Sequence, residues 1–246
     1  MSATATTMTR SKRFGRGIVW CSYPAGRLSG LDQAFAVSCN MAFASVGRAV
    51  GRAALLAEYR RWGFDGGPGT LLGSAGRVLV PDGDERQLAD LAIGLEATDI
   101  TPLHAALLAA VMADGGAMPE PVLVEAEQGP LGLVPRPLPR PAPRPVLDPA
   151  WRSRFLRAME AVTLYGTAAG IAPPGFPVAM KTGTGATWRL GYHANDIGVG
   201  PMPEPTVAFC VRVTHEPSSG SVSRAAHEVL SALLQGLAAR RAHGLL

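Results

Sequence analysis

The sequence has 246 residues, with 23 basic and 19 acidic side chains and a formal net charge of +4. Hydrophobic residues make up 47% and charged residues 17%, proportions typical of a globular chain rather than a disordered one. No apolar run approaches the roughly 18 residues of a membrane span, and no signal peptide is visible. No stretch interleaves basic with aromatic residues, so we expect no nucleic-acid partner.

The residue types that build metal sites and lysine-dependent sites are scarce. Lys12 and Lys181 are the only lysines, and the other basic residues are arginines. The cysteines, Cys21, Cys39 and Cys210, are far apart and share no metal-ligand spacing. The five histidines include no HxxxH or HExxH pair. We therefore expect no metal, no cofactor and no disulfide scaffold.

In chain order, a polar leader comes first and a single domain follows. We expect residues 1–18 to be a disordered leader and residues 19–246 to form the domain. Helical spacing runs over residues 31–62 and is interrupted at residues 38–40. The glycine-rich segment 63–76 is predicted to be a loop.

Two further helix starts share one signal, a capping side chain followed by proline: Thr101-Pro102 and Asp148-Pro149. The capping oxygen accepts hydrogen bonds from the first helical amides, and proline at the first helical position has no amide to satisfy. We expect the first helix to stop at Gly115 and the second at Gly166, because glycine favours helix ends.

Between and after these helices the pattern changes. Alternating proline over residues 135–145 indicates a polyproline II spacer, and a ligand for an SH3-type domain is the alternative. Short β-rich segments at residues 178–184, 188–192 and 206–213 predict a three-stranded antiparallel meander. A last helix is predicted from about Val222 to Arg241. Its expected apolar face consists of Val222, Ala226, Val229, Leu230, Leu233, Leu234 and Leu237. Helices followed by a small antiparallel sheet indicate an α+β domain.

One candidate site motif lies at the predicted break between helices. Ser38 and Asn40 are two residues apart in the string Ser38-Cys39-Asn40. At a helix junction they can project a hydroxyl and a carboxamide into one cleft, although either residue can equally serve as a helix cap.

A second candidate motif, Lys181-Thr182-Gly183-Thr184, lies on the first strand of the predicted meander. Gly183 allows a ligand to approach the strand backbone closely. Lys181 supplies positive charge, and Thr182 and Thr184 supply hydroxyl groups. The alternative interpretation of Lys181 is a lysine that simply points to solvent.

Together with the pattern of residues 93–121, and in this order, the two motifs resemble the transpeptidase domain of penicillin-binding proteins. That family, like the serine β-lactamases, uses the motif set SxxK, SxN and KTG. The resemblance runs from about Val19 to about Leu237. It implies a β-lactamase/transpeptidase-like fold, an antiparallel sheet packed with helices, with the N-terminal part of the domain missing.

The resemblance also implies roles for the matched residues. Ser38 would relay protons toward the leaving group, and Asn40 would orient the catalytic lysine and hold the backbone of the acyl donor. Lys181 would strengthen the positive field around Ser38. The three residues that follow Lys181 would form the substrate-binding strand. Thr182 and Thr184 would receive the substrate carboxylate, and the Thr184 amide would be half of an oxyanion hole.

The nucleophile motif SxxK is absent from the 246 residues of the sequence. The residue three positions before Lys12 is Thr9, and the residue three positions before Lys181 is Val178. Acyl transfer needs a nucleophile and a base. We therefore expect a transpeptidase domain that cannot be acylated alone.

Three functions remain open at this point. The first is a transpeptidase domain that binds D-Ala-D-Ala stem peptides or β-lactams for peptidoglycan cross-linking, completed if need be by a separate chain that carries SxxK. The second is a non-catalytic module that binds peptidoglycan or a partner. The third is a relative of β-lactamases or carboxypeptidases, which need the same serine. The family works outside the cytoplasmic membrane, and the sequence leaves the location of this chain open.

Overall fold

The computed structural model describes residues 6–8, 11–21, 26–66, 76–78, 83–95, 98–127, 136–137, 141–187, 189 and 191–246. The helices in these residues are α1 (Leu31–Ala36), α2 (Asn40–Val50), α3 (Arg52–Arg61), α4 (Glu85–Ala92), α5 (Pro102–Ala113), α6 (Pro149–Leu164) and α7 (Ser219–Ala242). The strands are β1 (Thr6–Met8), β2 (Ser11–Phe14), β3 (Gly17–Trp20), β4 (Gly26–Leu28), β5 (Arg77–Val78), β6 (Thr98–Asp99), β7 (Ala117–Met118), β8 (Ala126–Glu127), β9 (Arg136–Pro137), β10 (Arg144–Pro145), β11 (Ala179–Thr187), β12 (Gly191–Gly200) and β13 (Val207–Glu216). The predicted α+β class is confirmed.

The main sheet consists of β11, β12 and β13 in that order, and both pairs of neighbours are antiparallel. Neighbouring residues of β11 face opposite sides of this sheet. Ala179 packs with residues of α5 and α6, whereas Met180 packs with residues of α7. Within the described residues β11 is an outer strand of the sheet. The strand that carries the Lys-Thr-Gly motif therefore has one edge available to a ligand.

A second core lies among β2, β3, α2 and α4. Phe14 on β2 and Val19 on β3 are buried there, and the two strands form an antiparallel hairpin. Residues 1–18 are expected to be a disordered leader, but residues 11–18 form strands and the turn between them. These residues form a hairpin because an aromatic and an aliphatic side chain, one from each strand, reach a core that other elements supply. Residues 1–5, 9 and 10 lie outside the described part of the chain.

Both predicted cap-and-proline helix starts are confirmed. The Thr101 hydroxyl accepts a hydrogen bond from the His104 amide at 3.2 Å, and the Asp148 carboxylate accepts one from the Ala150 amide at 2.8 Å. In each helix proline occupies the first turn, and each helix ends before the predicted glycine. These starts could be read from sequence because capping involves only residues close in the chain.

The second strand of the meander lies later than the sequence indicated. The pattern predicts it at residues 188–192, of which 188 and 190 lie outside the described residues, and β12 spans Gly191–Gly200. Glycines in this segment look like turn residues, but they allow tight packing within the sheet. A Cβ atom at Gly198 would lie 2.6 Å from Met180 Cβ and 2.6 Å from Phe209 Cζ. Tertiary packing of this kind leaves no local sequence signal.

The last helix is confirmed, but its buried face is narrower than predicted. Val229 is 52% exposed and Leu233 is 39% exposed, although both were assigned to the core face. The buried positions follow one stripe at a spacing of four residues: Val222, Ala226, Leu230 and Leu234. A single sheet face covers only that stripe of the helix.

The proline-rich segment 135–145 is partly described. Arg136–Pro137 pairs with Ala126–Glu127, and Arg144–Pro145 pairs with Ala117–Met118. These two-residue ladders differ from the predicted free spacer, and they fit the rule that proline is confined to short edge strands. Residues 135 and 138–140 lie outside the described part, as does most of the predicted loop at 63–76.

No helix in the described residues combines the length and the apolar composition that crossing a membrane requires.

Candidate active site

Ser38 lies at the confirmed break between α1 and α2. Its backbone is left-handed, with φ of 56°, in a region that costs a non-glycine residue roughly 1–2 kcal/mol. The turn is closed by hydrogen bonds from the Ser38 amide to the Phe35 carbonyl at 3.1 Å and from the Cys39 amide to the Ala34 carbonyl at 2.8 Å. The chain therefore reverses tightly at the position of the serine hydroxyl.

Lys181 of β11 reaches this turn from the sheet. Its Nζ donates a hydrogen bond to Ser38 Oγ at 2.8 Å, across 143 positions of sequence, and another to the Thr182 carbonyl at 2.6 Å. The same Nζ lies 5.7 Å from the centre of the Phe35 ring. The structure thus brings the serine of one motif and the lysine of the other into direct contact.

Burial changes the proton affinity of Lys181. Loss of hydration lowers the pKa of Lys181 from its usual 10.5 to about 8, and the charge of Asp196 partly opposes this shift. At neutral pH the amine is mainly protonated and donates to Ser38. Near pH 8 it exchanges its proton readily, which suits a group that resupplies a proton to a neighbouring hydroxyl.

Asp196 is a buried acid that the sequence analysis missed. It pairs with Thr182 across β11 and β12 and is 2% exposed. Its Oδ2 lies 3.7 Å from His227 Nε2 on α7 and has no hydrogen-bond partner among the residues that the structure describes. Burial raises the pKa of Asp196 to about 6, although electrostatic interactions with His227 and Lys181 oppose the shift. An aspartate in the middle of a strand was the signal that could have revealed it.

Asn40 is placed differently from Ser38. It is the first residue of α2, and its Nδ2 donates a hydrogen bond to the Trp20 carbonyl at the end of β3, at 3.1 Å. The carboxamide thereby ties the turn to the N-terminal hairpin. The structure brings Ser38 and Lys181 together and holds the Asn40 amide against β3.

The two threonines of β11 each contact a hydroxyl that the sequence did not single out. Thr182 Oγ1 lies 2.6 Å from Thr167 Oγ1, and Thr184 Oγ1 lies 3.2 Å from Ser223 Oγ of α7. A hydroxyl group has one donor and two acceptor positions, so each of these pairs keeps further hydrogen-bonding capacity. Together they form a row of hydroxyls along β11, and strand alternation places them on the face opposite the Lys181 side chain.

Gly183 leaves open space beside this row. A Cβ atom at this position would meet only the Asn195 carbonyl, at 3.4 Å, an ordinary van der Waals distance. Gly183 also has no left-handed φ. Neither packing nor backbone conformation therefore requires glycine at this position.

His104, the most buried histidine, has a structural environment. Its Nδ1 accepts a hydrogen bond from the Gly76 amide at 2.9 Å, so Nε2 carries the proton and donates to the Trp62 carbonyl at 2.9 Å. Burial lowers the pKa of His104 and keeps the ring neutral. Within the described ranges, no three His, Cys, Asp or Glu side chains are grouped as a metal site.

An α+β domain in which a Ser-x-Asn turn contacts the lysine of a Lys-Thr-Gly strand has the arrangement of a serine D,D-transpeptidase domain. A family model described as the penicillin binding protein transpeptidase domain matches residues 19–235. The chain therefore belongs to the penicillin-binding protein transpeptidase family.

Curated relatives support the same assignment. The peptidoglycan D,D-transpeptidase PbpA of Mycobacterium tuberculosis is 32% identical over 217 residues, which cover 84% of this chain and 44% of that protein. PbpA of Mycolicibacterium smegmatis is 32% identical over 192 residues, which cover 74% of this chain and 38% of that protein. The chain thus spans less than half the length of these relatives.

Solved structures confirm the fold. The imipenem acyl-enzyme complex of M. tuberculosis penicillin-binding protein A superposes with a TM-score of 0.76 and 26% identity, covering 95% of this chain and 55% of that chain. The D,D-transpeptidase domain of a peptidoglycan glycosyltransferase from Eggerthella lenta has a TM-score of 0.81 and 22% identity, covering 100% of this chain and 61% of that chain.

Proposed function

We propose that this transpeptidase domain recognises the acyl donor of peptidoglycan cross-linking, a D-Ala-D-Ala stem peptide, and the β-lactams that mimic it. The observation that carries the proposal is the 2.8 Å hydrogen bond from Lys181 to Ser38. A solved relative with 26% identity is described as an imipenem acyl-enzyme complex, which supports β-lactams as ligands of this fold.

In the proposed mechanism Ser38 transfers a proton and Lys181 replaces it. Lys181 donates to one lone pair of Ser38 Oγ, so the serine proton is free to point toward the leaving nitrogen of the donor. When that nitrogen takes the serine proton, Lys181 passes its own proton to Ser38. The pKa of Lys181, lowered to about 8 by burial, makes this transfer easier than it would be for a solvated lysine.

The hydroxyl row is proposed to bind the donor's carboxylate. Thr182 and Thr184 lie on the outer strand that carries Lys181, and a carboxylate accepts several hydrogen bonds from hydroxyl donors. The open space at Gly183 would let the peptide approach the strand edge. In this proposal the Thr184 amide is half of the oxyanion hole, and Asn40 orients the donor backbone.

These residues bind and shuttle protons but do not form the acyl-enzyme. The 246 residues contain no Ser-x-x-Lys, so the nucleophile must come from residues outside them. A segment joined to them in a longer chain, or a separate chain, would supply it. We therefore propose that the 246 residues alone bind β-lactams reversibly and are not acylated.

Fluorescent penicillin tests this proposal by anisotropy and by denaturing gel. We expect reversible binding that Lys181→Met weakens at least tenfold, or about 1.4 kcal/mol. The matched control is Lys12→Met, which removes the other lysine, and we expect its affinity to be within twofold of the wild type. Absence of binding, or equal loss in both variants, would overturn the proposed ligand class. A fluorescent band on the denaturing gel would overturn the claim that these residues lack a nucleophile.

A further inference from the structure

Two cysteines meet beside the serine turn, although their spacing in sequence gave no sign of it. Cys21 follows β3, and Cys39 is the middle residue of Ser38-Cys39-Asn40. Their Sγ atoms lie 2.9 Å apart, while both are free thiols in this structure. The sulfurs of a disulfide lie about 2.0 Å apart, so less than an ångström of sulfur movement separates the two states.

A hydrogen bond beside the pair joins the two segments that carry the cysteines. The Asn40 amide group holds the Trp20 carbonyl at 3.1 Å, one residue away from each cysteine. Cys39 is 3% exposed within the core that β3 and α2 share. The two segments therefore already meet at the cysteine pair in the reduced protein.

We propose that Cys21 and Cys39 are a modification site, a dithiol that closes to a disulfide and tethers the turn carrying Ser38 to β3. This inference stands on the described geometry whether or not the domain binds β-lactams. Its oxidant is a disulfide, either a small molecule such as glutathione disulfide or a dithiol oxidoreductase in its oxidised form.

Thiol–disulfide exchange with the oxidant would form the bond in two steps. The Cys21 thiolate attacks one sulfur of the incoming disulfide and expels the first thiolate, which forms a mixed disulfide. The Cys39 sulfur, having lost its proton, then attacks Cys21 Sγ and expels the second thiolate. The chain loses two electrons and two protons, and the incoming disulfide is reduced to two thiols.

Exposure assigns the order of the two cysteines. Cys21 is partly exposed and Cys39 is buried, so the external disulfide reaches Cys21 first. Burial, strengthened by the hydrogen bond with Cys21, raises the pKa of Cys39 to about 11. Cys39 is therefore a protonated thiol at neutral pH and suits the second, intramolecular step, where its proximity compensates for its low thiolate fraction.

Closure would fix the position of the serine. Ser38 precedes Cys39 directly, and its left-handed backbone is held by the tight turn. A disulfide removes conformational freedom of the unfolded chain between residues 21 and 39 and stabilises the folded turn. The redox state of the pair then determines how firmly Ser38 is presented to Lys181.

Thiol counting on the purified chain tests the proposal. After glutathione disulfide treatment, alkylation under denaturing conditions should modify Cys210 alone, and the protein should be 2 Da lighter than the reduced chain before alkylation. Peptide mapping should join the Cys21 and Cys39 peptides. Alkylation of all three cysteines, a stable glutathione adduct at Cys21, or a bond to Cys210 would overturn the proposal.

A thermal melt tests the tether itself. We expect the oxidised chain to melt several degrees above the reduced chain, and dithiothreitol to reverse the shift. Cys21→Ser is the informative variant, because Cys21 is the less buried partner, and its melting temperature should not respond to the oxidant. Cys210→Ser should keep the full shift. Equal melting temperatures for the oxidised and reduced wild type would contradict the tether.

Discussion

Ser38 and Lys181 meet in one site, but two differently built regions hold them. The strand region, β11–β13 with α7, positions Lys181 through two antiparallel ladders, the second with a register shift between Tyr192 and Ala194, and through buried helix contacts. The turn region, β2 and β3 with α1 and α2, positions Ser38 through a buried core, the backbone hydrogen bonds of the turn and the bond from Asn40 to the Trp20 carbonyl. The lysine is therefore held within a long strand, and the serine in a short turn between two helices.

The largest expected effects come from substitutions in the buried cores of the two regions. Phe14 and Leu230 are both fully buried, one in each region. We expect Phe14→Ala to lower the free energy of unfolding by about 3–5 kcal/mol and Leu230→Ala by about 2–5 kcal/mol. In hydrogen–deuterium exchange, Phe14→Ala should speed exchange in β2, β3 and α2 and leave β11–β13 protected, and Leu230→Ala should do the reverse.

Trp20→Ala is the surface control for the first of these variants. Trp20 is 63% exposed on β3, so we expect a change below about 0.5 kcal/mol. If Phe14→Ala and Leu230→Ala each speed exchange equally in both regions, the two regions open as one unit and the comparison fails.

A smaller, pH-dependent effect is expected in the strand region. The pKa of Asp196 is raised from its usual 3.8 to about 6, chiefly by burial, so between these values the folded protein binds a proton more tightly than the unfolded chain does. Its stabilising contribution is complete below about pH 4 and is lost as the pH rises through 6. Asp196→Asn does not titrate, and its stability relative to the wild type should rise by on the order of 2 kcal/mol from pH 4 to pH 7.

Urea unfolding at several pH values measures this difference. Asp114→Asn is the control, because Asp114 is exposed at the end of α5. We expect its stability to follow the wild type across the same range. A constant difference between Asp196→Asn and the wild type would show that Asp196 has the same proton affinity in the folded and unfolded states.

The smallest expected effect distinguishes the contribution of the Ser38 hydroxyl to stability from the cost of its left-handed backbone. Ser38→Ala removes the acceptor of the Lys181 hydrogen bond and keeps the left-handed residue, and we expect a loss of about 1–2 kcal/mol. Ser38→Gly removes the same acceptor but tolerates φ of 56°, so it should be about 1 kcal/mol more stable than Ser38→Ala. Equal stability of the two variants would show that the turn stores no backbone strain.

Local signals explain what the sequence predicted well. The starts of α5 and α6 follow from caps and prolines, and the strand of Lys181 follows from its β-rich composition. The break at residues 38–40 interrupts a helical pattern. Each of these features is decided by neighbours in the chain, which a single sequence displays.

Long-range packing explains what the sequence did not predict. The place of Gly198 inside β12 is set by Met180 and Phe209, which come from other strands. The contact of Cys21 with Cys39 depends on how the N-terminal hairpin packs on α2. That Ser38 belongs beside Lys181 came from the resemblance to a family, because no local pattern links positions 143 residues apart.

A double-mutant cycle on penicillin binding tests the central claim, that Ser38 and Lys181 act as one site. The dissociation constants needed are those of the wild type, Ser38→Ala, Lys181→Met and the double variant. We expect the double variant to lose less affinity than the sum of the single losses, with a coupling energy of about 1–2 kcal/mol. Losses that add to within about 0.5 kcal/mol, or a wild type that binds no penicillin, would contradict the claim.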